Sequence, residues 1–230
     1  MEQAKNYRHE LKFNIPYADY VAMRVRLRAI MKPDPHVNGD GRYLIRSIYF
    51  DNSDDKALRE KIDGIGKREK FRIRYYNDDF SFIVLEKKIK DGNLCLKYDA
   101  RITEDQLRQI LIGDIDWMRS HESDLVREFY AKIRYQRLKP RVLVSYVREP
   151  FIYQAGNVRV TFDSKIRTTL YSQNFLTPEV HDISATDTPE DMLLEVKFDR
   201  YLPDIIRDII QIRGIRQQAF SKYGACRRFG

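Results

Sequence analysis

The sequence predicts an α+β fold: an eight-stranded antiparallel β-tunnel or barrel with a charged lumen and helices packed on its outside. Three observations predict it. Eight segments alternate at the two-residue period of a strand. Seven of them set ionised residues on one side and apolar residues on the other. Several further segments carry amphipathic helical spacing and so need an apolar surface to pack on.

Tyr7 to Ile15 reads as the first strand, with Arg8, Glu10 and Lys12 on one side and Leu11, Phe13 and Ile15 on the other; Pro16 ends it. Tyr17 to Met31 places Val21, Val25 and Ile30 at helical spacing until Lys32-Pro33-Asp34-Pro35 stops the helix. Arg42 to Asp51 is the second strand, in which Tyr43, Ile45, Ser47, Tyr49 and Asp51 share a side. Asn52-Ser53-Asp54 supplies caps for a short helix to about Ile62, and Asp63-Gly64-Ile65-Gly66 breaks it. That Gly-Ile-Gly-Lys is a turn, since it lacks the spacer and the Ser or Thr of a Walker loop and leads into a strand.

Phe71 to Tyr76, Phe82 to Ile89 and Leu94 to Ile102 form a meander joined by the turn formers Asn77-Asp78-Asp79 and Asp91-Gly92-Asn93. Arg72, Arg74, Glu86, Lys88, Lys97, Asp99 and Arg101 take one face, while Phe71, Ile73, Ile83 and Leu85 take the other. Lys87 and Lys90 read as plain surface residues. Thr103 begins a helix through Ile112, and Leu125 to Leu138 carries a second pattern with Val126, Phe129, Ile133 and Tyr135. Arg141 to Glu149 and Val158 to Ser164 are strands, with Tyr146 and Arg148 on one face of the first and Arg159, Thr161 and Asp163 on one face of the second. Ser172 to Asp191 reads as an irregular excursion. Met192 to Asp199 is the last strand, with Glu195 and Lys197 opposite Leu194, Val196 and Phe198. Pro203 opens an apolar helix carrying Ile205, Ile206, Ile209, Ile210 and Ile212 through Arg213, and Ser221 and Lys222 stand near a final short helix.

The 230 residues suffice for one domain spanning 1–230 with a sizeable core. Forty-two Lys and Arg against thirty-four Asp and Glu give a net charge of +8, which favours anionic partners. Cys95 and Cys226 lack CxxC spacing and the four histidines are scattered, so neither a disulfide framework nor a zinc site is expected. The charged start and the lack of any long apolar run predict no signal peptide and no integral membrane segment, and cytoplasmic residence follows as the default.

Helices outside an apolar sheet face leave the charged faces pointing inward. Dry, unpaired ions there would cost several kcal/mol each, so the lumen must be wet and hold counter-charge. Cations outnumber carboxylates on those faces, and the fixed donor fork of arginine suits phosphate oxygens. The glutamates make sense where a hard divalent cation bridges carboxylate and phosphate.

YRHELKF, SIYFDN, FRIRYY, LEKKIK, LEVKF and FSKY, in this order from Tyr7 to Tyr223, resemble the polyphosphate polymerase domain of the vacuolar transporter chaperone family, within the triphosphate tunnel metalloenzyme superfamily. The resemblance implies a tunnel holding a nucleoside triphosphate or polyphosphate with Mn²⁺ or Mg²⁺. It assigns Lys12, Arg72, Arg74, Lys88, Arg148 and Arg159 to catalysis on phosphates. Lys97, Tyr146, Lys197, Ser221 and Lys222 would bind substrate, and Glu195, Glu86 and Glu10 would hold the metal. Hydrolytic members open with Glu-x-Glu-x-Lys, whereas this chain has Arg8 first; the loss of a carboxylate favours polymerase over triphosphatase. The alternatives are a triphosphate hydrolase and a non-catalytic binder of polyphosphate, nucleotide or RNA. Nucleic acid is disfavoured because Phe71, Tyr75, Phe162 and Phe198 fall on the apolar side, where they serve a core.

Overall fold

Eight long strands close into one antiparallel ring in the computed structural model, which describes residues 7–92, 94–169, 175–176, 182–186, 192–211, 214 and 216–229. They are β1 (Arg8–Ile15), β3 (Tyr43–Asp51), β4 (Lys67–Tyr76), β5 (Asp79–Asp91), β6 (Leu94–Ile102), β7 (Lys139–Tyr153), β8 (Val158–Thr169) and β10 (Met192–Phe198). Going round, the order is β7-β3-β4-β5-β6-β1-β10-β8, and β8 pairs back onto β7. Two-residue strands β2 (Lys32–Pro33) and β9 (Ile183–Ser184) add to β7 and β8. The ring is uneven. β1 meets β6 only through Arg8 opposite Cys95 and His9 opposite Leu94, whereas β3 runs along β7 from Tyr43 to Asp51.

Local sequence fixes the tight corners. Asn77 and Asp78 both adopt positive φ, 52° and 56°, which is the two-residue turn whose twist matches a β-hairpin. Gly156, at φ 71°, closes the β7–β8 hairpin, where an added Cβ would lie 2.6 Å from the Tyr201 carbonyl oxygen. Thr103, where the sequence begins this helix, forms a capping box with Gln106 at the start of α3 (Glu104–Ile112), and Gly113 ends it in the left-handed region.

The apolar strand faces point outward, as the alternation requires. On β3 to β6, Phe71, Ile73, Tyr75, Ile83 and Leu85 meet α3 and α4 (Asp124–Gln136). Phe129 of α4 sits edge-on to Phe50 and stacked on Phe71, a clamp whose truncation to alanine should cost about 3–5 kcal/mol. Across the ring, Val160, Phe162, Leu194 and Val196 meet α1 (Tyr17–Ile30) and α5 (Asp204–Ile210).

Three helical stripes differ from the sequence reading. α1 buries Tyr20, Met23 and Leu27, leaving Val21 and Val25 exposed. The reason is polar: Tyr20 donates to buried Glu149 at 2.6 Å, and Arg24, one turn on, donates to the same carboxylate at 2.7 Å. Tyr135 of α4 is exposed, and α5 buries Ile206 and Ile210 but exposes Ile205. Ile212, Arg213 and most of the Ser172–Asp191 stretch lie outside the described residues. Among the described residues, no helix is long and apolar enough to cross a membrane.

Candidate functional site

Because β4 continues inward parity from Arg68 through Lys70, Arg72 and Arg74, and β5 from Glu86 through Lys88 to Lys90, the register stacks two charged rows side by side. β1 adds Glu10 and Lys12, directly opposite Lys197 and Glu195 of β10. β7 adds Tyr146 and Arg148. Together with Tyr49, Lys61 of α2 (Lys56–Ile62) and the Gln217–Tyr223 stretch, these residues, Glu86 excepted, line a cavity of about 550 Å³. That last stretch is tied to β1, since Gln218 donates its backbone N–H to the Lys12 carbonyl and Lys12 Nζ reaches the Phe220 carbonyl at 3.3 Å. It leads into α6 (Lys222–Cys226), whose Tyr223 and Cys226 fill the ring interior against Val142 and Val144.

Buried carboxylates organise the cations. Glu86 takes Arg72 Nε, with Arg74 at 3.7 Å and Lys97 at 3.3 Å. Asp163, fully buried, receives both prongs of Arg148 at 2.6 and 2.7 Å and Lys222 at 2.6 Å. Lys12 lies 3.2 Å from Glu10 and 3.4 Å from Glu195; Lys88 is 2.6 Å from Glu10 and Lys197 2.6 Å from Glu195. Burial alone would raise these carboxylates' pKa values. The surrounding cations outweigh it and hold Glu10, Glu86, Asp163 and Glu195 below the ordinary range. Tyr146 is fully engaged too: burial would raise its phenol, but Arg148, Arg74 and Lys222 pull it down, and Arg74 donates to it at 3.1 Å.

Of the residues singled out from sequence, Lys12, Arg72, Arg74, Lys88, Tyr146, Arg148, Lys197, Ser221, Lys222, Glu10 and Glu195 line this one cavity. Glu86 does not; it stands behind the arginines, side chain 2% exposed. Lys97 sits half-exposed between Glu86 and Asp99. Arg159 is off the wall, bound by Asp34 and the Tyr43 hydroxyl, each at 2.7 Å. Arg101 lies over Phe82. Lys61, Arg68, Lys70, Lys90 and Tyr49 line the cavity without having been singled out, so Lys90 is no plain surface residue. Lys87 is not one either: it is buried against Glu69 and Glu128 of α4.

A hard divalent cation fits Glu10 and Glu195 in part. Both carboxylates are ionised and share Lys12, and Glu10 Oε1 is buried with Lys12 Nζ beside it at 3.2 Å. Among the described residues no group of three or more His, Cys, Asp or Glu could hold a metal by itself, so phosphate and water oxygens would complete the shell. Glu86, saturated by three cations, fits that role poorly.

A closed antiparallel ring with cations and carboxylates on its inner face is the triphosphate tunnel class of fold. The chain belongs to the VTC domain family, whose model matches residues 7–229. An adenylyl cyclase candidate of Hippeastrum, HpAC1, described as having a dominant triphosphatase activity, superposes with TM-score 0.56 over 97% of this chain and 96% of its own at 13% identity. An adenylate cyclase candidate of Bacillus halodurans gives 0.51 over 85% and 82% at 14% identity. At such identities these likenesses are likenesses of fold. No curated protein matches the sequence.

Proposed function

We propose that the chain is an enzyme acting on triphosphates, and specifically that it transfers the terminal phosphoryl of a nucleoside triphosphate to a growing polyphosphate chain. The observation that carries this is the convergence of Lys12, Arg72, Arg74, Lys88, Arg148, Lys197 and Lys222 on one cavity beside the paired carboxylates Glu10 and Glu195. In the transfer, a terminal oxygen of the chain bonds to the γ-phosphorus, the bond to the β-bridging oxygen breaks, and the nucleoside diphosphate leaves with that electron pair. No protein nucleophile is needed; positioning and charge neutralisation supply the catalysis.

Arg72 and Arg74, held by Glu86, and Arg148 and Lys222, held by Asp163, grip the phosphates from two sides. Tyr146 donates between them, and Ser221, Lys97 and Lys197 complete the binding set. Arg159 contributes only if it leaves Asp34. A Mn²⁺ or Mg²⁺ on Glu10 and Glu195 would neutralise phosphate charge and align the reacting oxygens. Arg8 supports transfer over hydrolysis: it sets a cation at the position where the hydrolytic pattern has a carboxylate, and it is itself bound to Asp199 at 2.8 Å. Incubation with ATP and Mn²⁺ followed by gel staining should show long phosphate chains. Free phosphate alone would make the protein a triphosphatase, and no metal-dependent turnover would defeat both readings.

A further inference from the structure

The cavity's cations fall into two sets. Those deep in the ring touch carboxylates. Lys61, Arg68, Lys70 and Lys90, grouped where the start of β4, the end of β5 and α2 meet, have no carboxylate at ion-pair distance among the described residues. Arg68 faces Lys90 across the β4–β5 ladder, and Lys70 faces Lys88. Like charges set directly opposite on a sheet repel. Local acids do not offset this: Asp51 favours the Lys70 ammonium less than burial and the neighbouring cations oppose it, being engaged by Tyr223 and by the N-terminal amides of α2, and Glu69 points to the other face, to Lys87 and Lys132. Lys70 reaches only the Ser221 hydroxyl, at 3.5 Å, and the face of Tyr223.

We infer that this mouth is a separate binding subsite for the distal phosphates of a linear phosphate chain, so that a chain held at the reacting centre leaves the ring over α2. The inference rests on the triphosphate reading of the tunnel. The spacing argues for a chain over a single phosphate. Arg68 and Lys70, two residues apart on one strand, stand roughly 7 Å apart, and their partners Lys90 and Lys88 repeat that step on the next strand. Such a row matches an extended polyanion. Burial together with Arg68, Lys12 and Lys88 already depresses the Lys70 ammonium, as expected of a cation awaiting its counter-charge.

The test is binding, separate from turnover. Calorimetry would compare long-chain polyphosphate, tripolyphosphate and orthophosphate on the wild type and on the variant Lys61→Gln/Arg68→Gln/Lys70→Gln/Lys90→Gln. The long chain should lose about tenfold or more in affinity, with a salt slope shallower by roughly 0.7 per cation removed, while tripolyphosphate changes less than about twofold. Loss of both alike, or of neither, overturns the inference. A wild type that binds neither long-chain polyphosphate nor tripolyphosphate overturns the triphosphate reading with it. A second measurement needs no variant: acetylation of Lys61, Lys70 and Lys90 in the wild-type protein, read by mass spectrometry, should be blocked by long-chain polyphosphate and not by tripolyphosphate. Equal protection by tripolyphosphate, or by single-stranded RNA of matched charge, would overturn it.

Discussion

The deep wall of the tunnel and its α2 mouth are built from the same residue types with opposite accounting. On the wall, Arg148 and Lys222 share Asp163, Arg72 and Arg74 share Glu86, and Lys12 bridges Glu10 and Glu195. At the mouth, Arg68, Lys70 and Lys90 face other cations. A buried ion survives without ligand only if paired, so the wall is preorganised before any anion arrives. The mouth residues are partly buried, and the water that reaches them screens only part of what carboxylates do not neutralise. The difference teaches where rigidity and where recruitment reside: the wall fixes geometry, and the mouth supplies net charge.

The comparison breaks first at Asp163. Asp163→Ala leaves Arg148 and Lys222 buried without their shared anion, which should cost about 3–5 kcal/mol and lower the melting temperature sharply in a thermal denaturation scan. A mouth substitution such as Lys90→Gln should leave the melting temperature unchanged or slightly raised, because it removes repulsion. The next effect in size is catalytic. Glu195→Gln should reduce turnover about a hundredfold, equivalent to about 2.7 kcal/mol of barrier, while triphosphate binding persists. Steady-state kinetics with parallel binding measurements would separate the two, and full activity would refute the metal role. Glu86→Gln should act differently, raising KM with little change in kcat, because it frees Arg72 and Arg74 from their fixed pose without touching the reacting centre.

All eight ring strands were legible because period-two alternation is a strong pattern, and the inner wall followed from the ionised side that seven of them carry. What escaped did so at element ends. Reading β4 from Phe71 when it begins at Lys67 hid Arg68 and Lys70, and ending β5 at Ile89 when it reaches Asp91 turned Lys90 into a surface residue. Extending the alternation in Lys67-Arg68-Glu69-Lys70 backward would have found them. Parity also has a limit of its own: it says which face a residue takes and nothing of its partner. Arg159 and Arg101 share inward parity yet bind Asp34 and Phe82, and Glu86 faces inward yet is claimed by arginines. The α1 stripe was misread because Tyr20 is buried for its hydroxyl as much as for its ring, a cause that apolar spacing does not register.

The smallest effect sharpens the comparison through pH. Burial, then Arg68, Lys12 and Lys88, depress Lys70 to about 7, against 10.5 for an unperturbed lysine. Between those values the unfolded chain binds a proton that the folded protein does not, so the penalty for charging Lys70 is fully present below pH 7 and relieved as pH rises toward 10.5. Ligand acts the other way. A bound phosphate chain favours the ammonium, so Lys70 binds most strongly when already charged, and affinity for long-chain polyphosphate should fall as pH rises from 6 to 8, by less than about tenfold per pH unit for one linked proton. Lys70→Arg keeps the charge and should flatten that dependence; Lys70→Gln should flatten it at the lower affinity. Titration of the phosphate ends is common to all three proteins and cancels in their difference. Parallel pH profiles for wild type and Lys70→Arg would place Lys70 among the permanently charged cations and remove the contrast at this residue.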